Sequence, residues 1–108
     1  MQDDFDLNVV LSVLTGINIS NYADLYNFFC FLFEDESIKP EDIVTLRPIA
    51  MKHILKIHPE LTGIKYEGTN LYNWVRIQKA IFGEDITISI IGEKIISLEK
   101  TKIYPTTK

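Results

Sequence analysis

The sequence predicts an α+β fold: a small, mainly helical domain of four or five helices around a central apolar helix, closed by a C-terminal β-hairpin. Three observations carry this. Tyr22 to Phe33 is apolar almost all round, with nine of twelve residues Tyr, Leu, Phe or Cys. Helical periodicity recurs before and after it, up to Gly83. Behind Gly83 the period drops to two, in Ile86-Thr-Ile-Ser-Ile-Ile91. At 108 residues the chain makes one domain, helical over about 6–83 and hairpin over about 86–98. Residues 101–108 form a tail whose order the sequence leaves open.

The first helix is read from Leu7, Val10, Leu11 and Leu14 at i, i+3, i+4 and i+7. Asp4 and Asp6 precede it, where negative charge suits the helix dipole, and Gly16 supplies the residue that ends it. Asn21 caps the central helix, whose stripe reads Tyr22, Leu25, Tyr26, Phe29, Leu32 and Phe33, with Phe28 and Phe31 off that face. Glu34-Asp35-Glu36 marks its end, because acids oppose the dipole there. Pro40 then starts a short helical turn through Leu46, and Pro48 falls in the first turn of a separate helix. Ile49, His53 or Ile54, and Ile57 form its buried stripe, and Pro59 stops it after His58.

Thr69 or Asn70 caps the last helix. Leu71, Trp74, Val75, Gln78, Ile81 and Phe82 follow the 3.6 period, and Gly83 closes it. Gly92-Glu93 suits a two-residue turn between Ile86–Ile91 and Lys94–Leu98. A lone hairpin is marginal in water, so it packs on the helices, pairs with a third strand (Lys102–Tyr104 or Ile64–Tyr66), or pairs with another chain.

Composition excludes more than it selects. The 46% hydrophobic and 24% charged fractions belong to a globular chain. No apolar run approaches the roughly 20 residues of a membrane span, and the acidic start is unlike a signal peptide, which predicts the host-cell cytoplasm. Cys30 is single, which excludes an internal disulfide, and it reads as a small buried hydrophobe. The net charge of −4 divides as −6 over residues 1–54 and +2 over residues 55–108. An acidic front half repels phosphate.

Catalytic arrangements are absent in any recognisable form: no Gly-x-Ser-x-Gly, no phosphate-cradling Gly-rich loop, and no Cys with a His motif. His53 and His58 are five apart, which puts them on different helical faces rather than at metal-ligand spacing. No enzyme activity, cofactor or metal is expected. The candidate contact residues are the acidic group Glu34, Asp35, Glu36, Glu41 and Asp42, and the tyrosines Tyr66, Tyr72 and Tyr104. With Asp3, Asp4 and Asp6, the acids offer a surface that imitates nucleic-acid phosphate; an ordinary solvated loop is the plainer reading. The exposed edge of the hairpin is a further candidate, for a partner strand or a homodimer.

Leu11-Ser-Val-Leu-Thr-Gly16, Asp24-Leu-Tyr-Asn-Phe28, Leu55-Lys-Ile-His-Pro-Glu-Leu61, and Trp74 ahead of Phe82-Gly-Glu84 together resemble a family of small uncharacterised bacteriophage proteins. The resemblance touches about residues 7–84 through helix-packing and helix-stop residues. The family's Leu-Pro-Arg element before the third helix is represented here only out of order, as Leu46-Arg47-Pro48, and the hairpin is not a family feature. The resemblance implies a non-enzymatic phage or prophage accessory protein that binds a host or phage protein, for instance inhibiting a host defence in anti-CRISPR fashion or a regulatory factor. It implies no site. The alternatives are a small nucleic-acid-associated regulator using Arg76, Lys79, Lys94, Lys100 and Lys102, and a self-assembling structural module.

Overall fold

The computed structural model describes residues 1–91. Strand β1 (Gln2–Asp6) leads into helix α1 (Leu7–Thr15), followed by α2 (Tyr22–Phe33), α3 (Pro40–Ile57), a single 3-10 turn (Pro59–Leu61), α4 (Leu71–Phe82) and β2 (Asp85–Ser89). The α+β class is as predicted. The turn at Gly92-Glu93, the strand Lys94–Leu98, Lys102–Tyr104, Tyr104 itself and the tail lie outside the described residues. Ile64–Tyr66 forms no strand.

The sheet is non-local. β2 pairs antiparallel with β1, from Gln2 opposite Ser89 to Asp6 opposite Asp85. Gln-Asp-Asp-Phe-Asp carries little strand propensity. It is recruited by the backbone ladder and by Phe5, whose ring meets Phe28 edge-on at 4.8 Å and Phe31 at 5.0 Å. The β2 alternation works as read: Ile86 and Ile88 are buried, as is Ile91 beyond the strand, while Asp85 and Thr87 face water.

The most enclosed helix is α1 rather than α2. Seven of the nine α1 residues are buried, against four of twelve in α2. Val9 and Val13 fill the side that the i, i+3, i+4 stripe leaves open, so α1 packs on α2, α3, α4 and β1. On α2 the buried face is Phe28, Phe29, Leu32 and Phe33; Phe28 is fully covered and Tyr22 is half exposed, the reverse of the predicted stripe. Asp6 caps α1 by accepting from the Asn8 N–H, and Asn21 caps α2 by accepting from the Asp24 N–H. The Ser12 hydroxyl donates to the Asn8 carbonyl and accepts from the N–H groups of Ile19 and Ser20, which fixes the α1–α2 loop from within.

Helix α3 is continuous through Pro48, which corrects the expectation of two helices. Proline removes one N–H and crowds the carbonyl four residues earlier, that of Val44. Both residues are exposed, so the freed carbonyl lies on the water side. Buried Ile43, Leu46, Ala50 and Ile54 keep the helix on its core face.

Glu34 ends α2 with φ 51° and ψ 44°, a left-handed conformation that glycine adopts without cost. Glu34→Gly is therefore expected to stabilise the fold by about 0.5–1 kcal/mol, read as a higher urea midpoint at unchanged slope. An unchanged or lower midpoint would contradict this.

Candidate functional site

The predicted acidic group divides into structural and free members. Asp35 accepts from the Ser37 N–H and hydroxyl, which shapes the α2–α3 turn. Asp42 accepts from the Lys39 N–H and caps α3. The Tyr26 hydroxyl ties the same loop down by donating to the Ile38 carbonyl. Glu34, Glu36 and Glu41 are exposed. Glu34 and Glu36 border an open concavity of about 860 Å³ with Met1, Tyr26, Asn27, Cys30 and Phe31. Cys30 is thus partly exposed, not buried as expected. Among the described residues no group of three or more His, Cys, Asp or Glu is placed to hold a metal ion.

The two histidines meet on one strand, contrary to the reading from their spacing. His53 Nε2 donates to the Ser89 carbonyl at 2.8 Å and His58 Nε2 to the Thr87 carbonyl at 2.7 Å. His58 lies one residue past the helix, at φ −132° and ψ 70°, so helical periodicity no longer sets its direction. Leu7 N–H donates to the Glu84 carbonyl and Ile90 N–H to the Met1 carbonyl, so the even-numbered residues of β2 face β1 and the odd ones face outward. The outward carbonyls of Thr87 and Ser89 are taken by the histidines, and the outward Ile91 N–H donates to the Leu32 carbonyl. The β2 edge offered for strand pairing is therefore occupied. Along β1 the outward positions are Gln2, Asp4 and Asp6, and charge on an edge discourages strand addition.

His58 Nδ1 also lies 3.1 Å from Glu60 Oε2, and both its ring partners are acceptors, so the doubly protonated ring satisfies both. The Glu60 backbone N–H, and after it the His58 ring, hold the Glu60 carboxyl below the ordinary glutamate range. A depressed folded-state value stabilises the fold above the unfolded value and loses that contribution as pH falls through the folded one. The stability difference between the wild type and Glu60→Gln is accordingly expected to be present near neutrality and to shrink below about pH 4.3. Urea titrations across that range check this; a gap that widens on acidification would contradict it.

Helix α4 is different from the rest. It was read as a core helix, yet none of its residues is buried. Asn70 caps it by accepting from the Asn73 N–H. Leu71, Val75 and Phe82 touch the core only in part, and Ile81, placed on the core stripe by its period, is 63% exposed. Tyr72 is 77% and Ile77 47% exposed. The cause is that α1, α2, α3 and β2 close the core among themselves, leaving α4 against its rim. Of the predicted tyrosines, Tyr66 packs edge-on to Trp74 at 5.5 Å, and Tyr72 stands in water.

Concavities flank α4 on both sides. One of about 460 Å³ is lined by Asn8, Ile19, Leu71, Tyr72, Val75, Arg76, Lys79 and Glu84. The other, about 290 Å³, runs from Tyr66 to Asn70 and along Asn73, Trp74 and Ile77. Of the basic residues considered for nucleic acid, Lys79 is committed to Asp6 at 3.4 Å and Glu84 at 3.2 Å. Burial lowers its pKa, but the Glu84 hydrogen bond and the Asp6 charge outweigh that and hold the ammonium above its ordinary value. Arg76 contacts only Asn73 Oδ1, at 3.3 Å, among the described residues; Lys94, Lys100 and Lys102 lie outside them.

Comparison with protein-family models, with curated proteins and with solved structures gave no match. The face of α4 therefore has to be read from its own chemistry. No helix among the described residues is long and apolar enough to cross a membrane.

Proposed function

We propose that this chain is a non-enzymatic accessory protein that acts by binding another protein, in the cytoplasm of the cell that contains it, through the outward face of α4. The observation that carries the reading is the exposure of Tyr72, Ile77 and Ile81 on a helix with no buried residue. Water contact with large apolar side chains on one face is unfavourable, and a partner relieves it at about 25 cal/mol per Å² covered. The make-up of the face supports the same reading: interface centres favour Tyr, Trp and Arg and are poor in Lys, Glu and Asp. Residues 71–82 contain Tyr72, Trp74 and Arg76 and no acid. The resemblance of residues 7–84 to small phage proteins is in keeping with a host defence or regulatory factor as the partner.

The test is capture from a bacterial lysate with the wild type and with Ile77→Asp/Ile81→Asp, compared by quantitative mass spectrometry. Because both isoleucines are substantially exposed, the double variant is expected to fold with stability close to wild type. Its recovery of the specific partner is expected to fall at least tenfold. Glu34→Lys/Glu36→Lys, on the acidic loop, is expected to leave recovery unchanged. Capture that survives the α4 substitutions and fails with the loop substitutions would move the site to the acidic group.

A further inference from the structure

Six exposed residues on α4 and just beyond it fall on one helical stripe: Asn73, Arg76, Ile77, Ala80, Ile81 and Glu84, at i, i+3, i+4, i+7, i+8 and i+11. Their order has a direction. The amino-terminal end is polar with a positive charge, the middle is apolar, and the carboxyl-terminal end is acidic. Arg76 has no ion-pair partner among the described residues. At the other end Lys79 serves two carboxylates, Asp6 and Glu84, so that end stays net negative. Glu84 and Arg76 border the same concavity, which places both charges on one side of the helix.

A stripe with a positive end, an apolar centre and a negative end is complementary to itself in one orientation. Two copies lying parallel put Arg76 against Arg76 and Glu84 against Glu84. Two copies lying antiparallel, with Ala80 on a two-fold axis, put Arg76 of each against Glu84 of the other. Each of those residues is four positions from Ala80, or about 6 Å along the helix. Ile77 of one copy then meets Ile81 of its partner on both sides of the axis, and the small alanine lets the two backbones approach. A contact of this kind is isologous and closes at two copies.

We infer that in the free protein the α4 face is covered by α4 of a second copy, packed antiparallel about Ala80, and that this pairing competes with the protein partner. The inference rests on the reading of α4 as a contact face and adds its regulation: the dimer must separate before the partner binds. One helix face on each side is a small interface, so the association is concentration-dependent. The β-strand edges are not needed for it.

The test is sedimentation velocity on the full chain over a concentration series, for the wild type, Arg76→Glu, Glu84→Arg, and an equimolar mixture of the two variants. The wild type is expected to move from monomer to dimer. Each variant alone sets like charges against each other at both ends of the contact, and its dissociation constant is expected to rise at least tenfold. In the mixture, glutamate at 76 faces arginine at 84 and Arg76 faces Glu84, so dimers are expected to return. A folding defect is not repaired by mixing. A wild type that stays monomeric to millimolar concentration overturns the inference, as does a dimer that Arg76→Glu leaves intact. If the wild type is monomeric while Ile77→Asp/Ile81→Asp still abolishes capture, self-pairing fails and the binding face stands. If capture is also unaffected, both fail.

Discussion

Truncating Phe28 to alanine is expected to cost about 3–5 kcal/mol, a large part of the 5–15 kcal/mol that holds a domain of this size together. Phe28 is fully buried, and its ring meets Phe5 at 4.8 Å and Phe29 at 6.1 Å, both edge-on. The loss is therefore double. The transfer energy and the cavity come first, and the contact that seats Phe5, the inward anchor of β1, goes with them. Phe29, also buried, is expected to behave alike. Tyr22→Ala, on the same helix but 52% exposed, is expected to stay within about 0.5 kcal/mol. Urea midpoints of the three variants check the order. Equal effects at positions 22 and 28 would mean that α2 is rotated from the orientation described.

Arg47→Met is expected to destabilise by about 1.5–3 kcal/mol, although it removes no buried apolar group. Helix α1 ends with no basic residue of its own, and its last carbonyls lack intrahelical donors. Arg47, from α3, supplies them: Nε donates to the Val13 carbonyl at 2.7 Å and Nη2 to the Leu14 carbonyl at 3.5 Å. The cation also suits the negative end of the helix dipole. Methionine retains much of the apolar stem, so the loss isolates the guanidinium. Gly16, with φ +78°, lies against that group, and a Cβ added there would stand 3.1 Å from Nη2 and 3.3 Å from Cζ. Gly16→Ala therefore combines backbone strain of about 1–2 kcal/mol with displacement of Arg47. Because the two residues touch, the double variant is expected to lose less than the sum of the single losses, measurable in a double-mutant cycle. Strict additivity would mean that Arg47 does not cap α1.

Local signals were legible because local physics produces them. The α2 boundaries follow from Asn21 and from the acids after Phe33, and Gly16 and Gly83 end α1 and α4 where a C-terminal cap would. The face each helix buries was harder to read. In α1, Val9 and Val13 already signalled an all-round apolar helix, but a stripe drawn through Leu7, Val10, Leu11 and Leu14 accounts for one side only. In α4 the strongest amphipathic pattern belongs to the least buried helix, because periodicity reports an apolar face and not what covers it. Pro48 reads as a break until its exposure and that of Val44 are known.

The candidate site was legible only in pieces, for the same reason. Tyr72 was singled out by its residue type, and it stands on the exposed helix. Ile77 and Ile81 were not, since isoleucine at helical spacing is ordinarily core. Asp35 and Asp42 looked free in sequence, and their work in a turn and a cap depends on the local backbone. The His53–His58 clamp depends on where β2 lies, and β2 lies there because it pairs with a strand more than eighty residues away in the chain.

The most direct measurement of the binding face is hydroxyl-radical footprinting of the protein free at low concentration and in complex with its captured partner. Protection is expected at Tyr72, Ile77 and Ile81, with labelling at Tyr22 and around Glu34–Glu36 unchanged. Full labelling along α4 in the complex, with protection appearing at the acidic loop, would contradict the account.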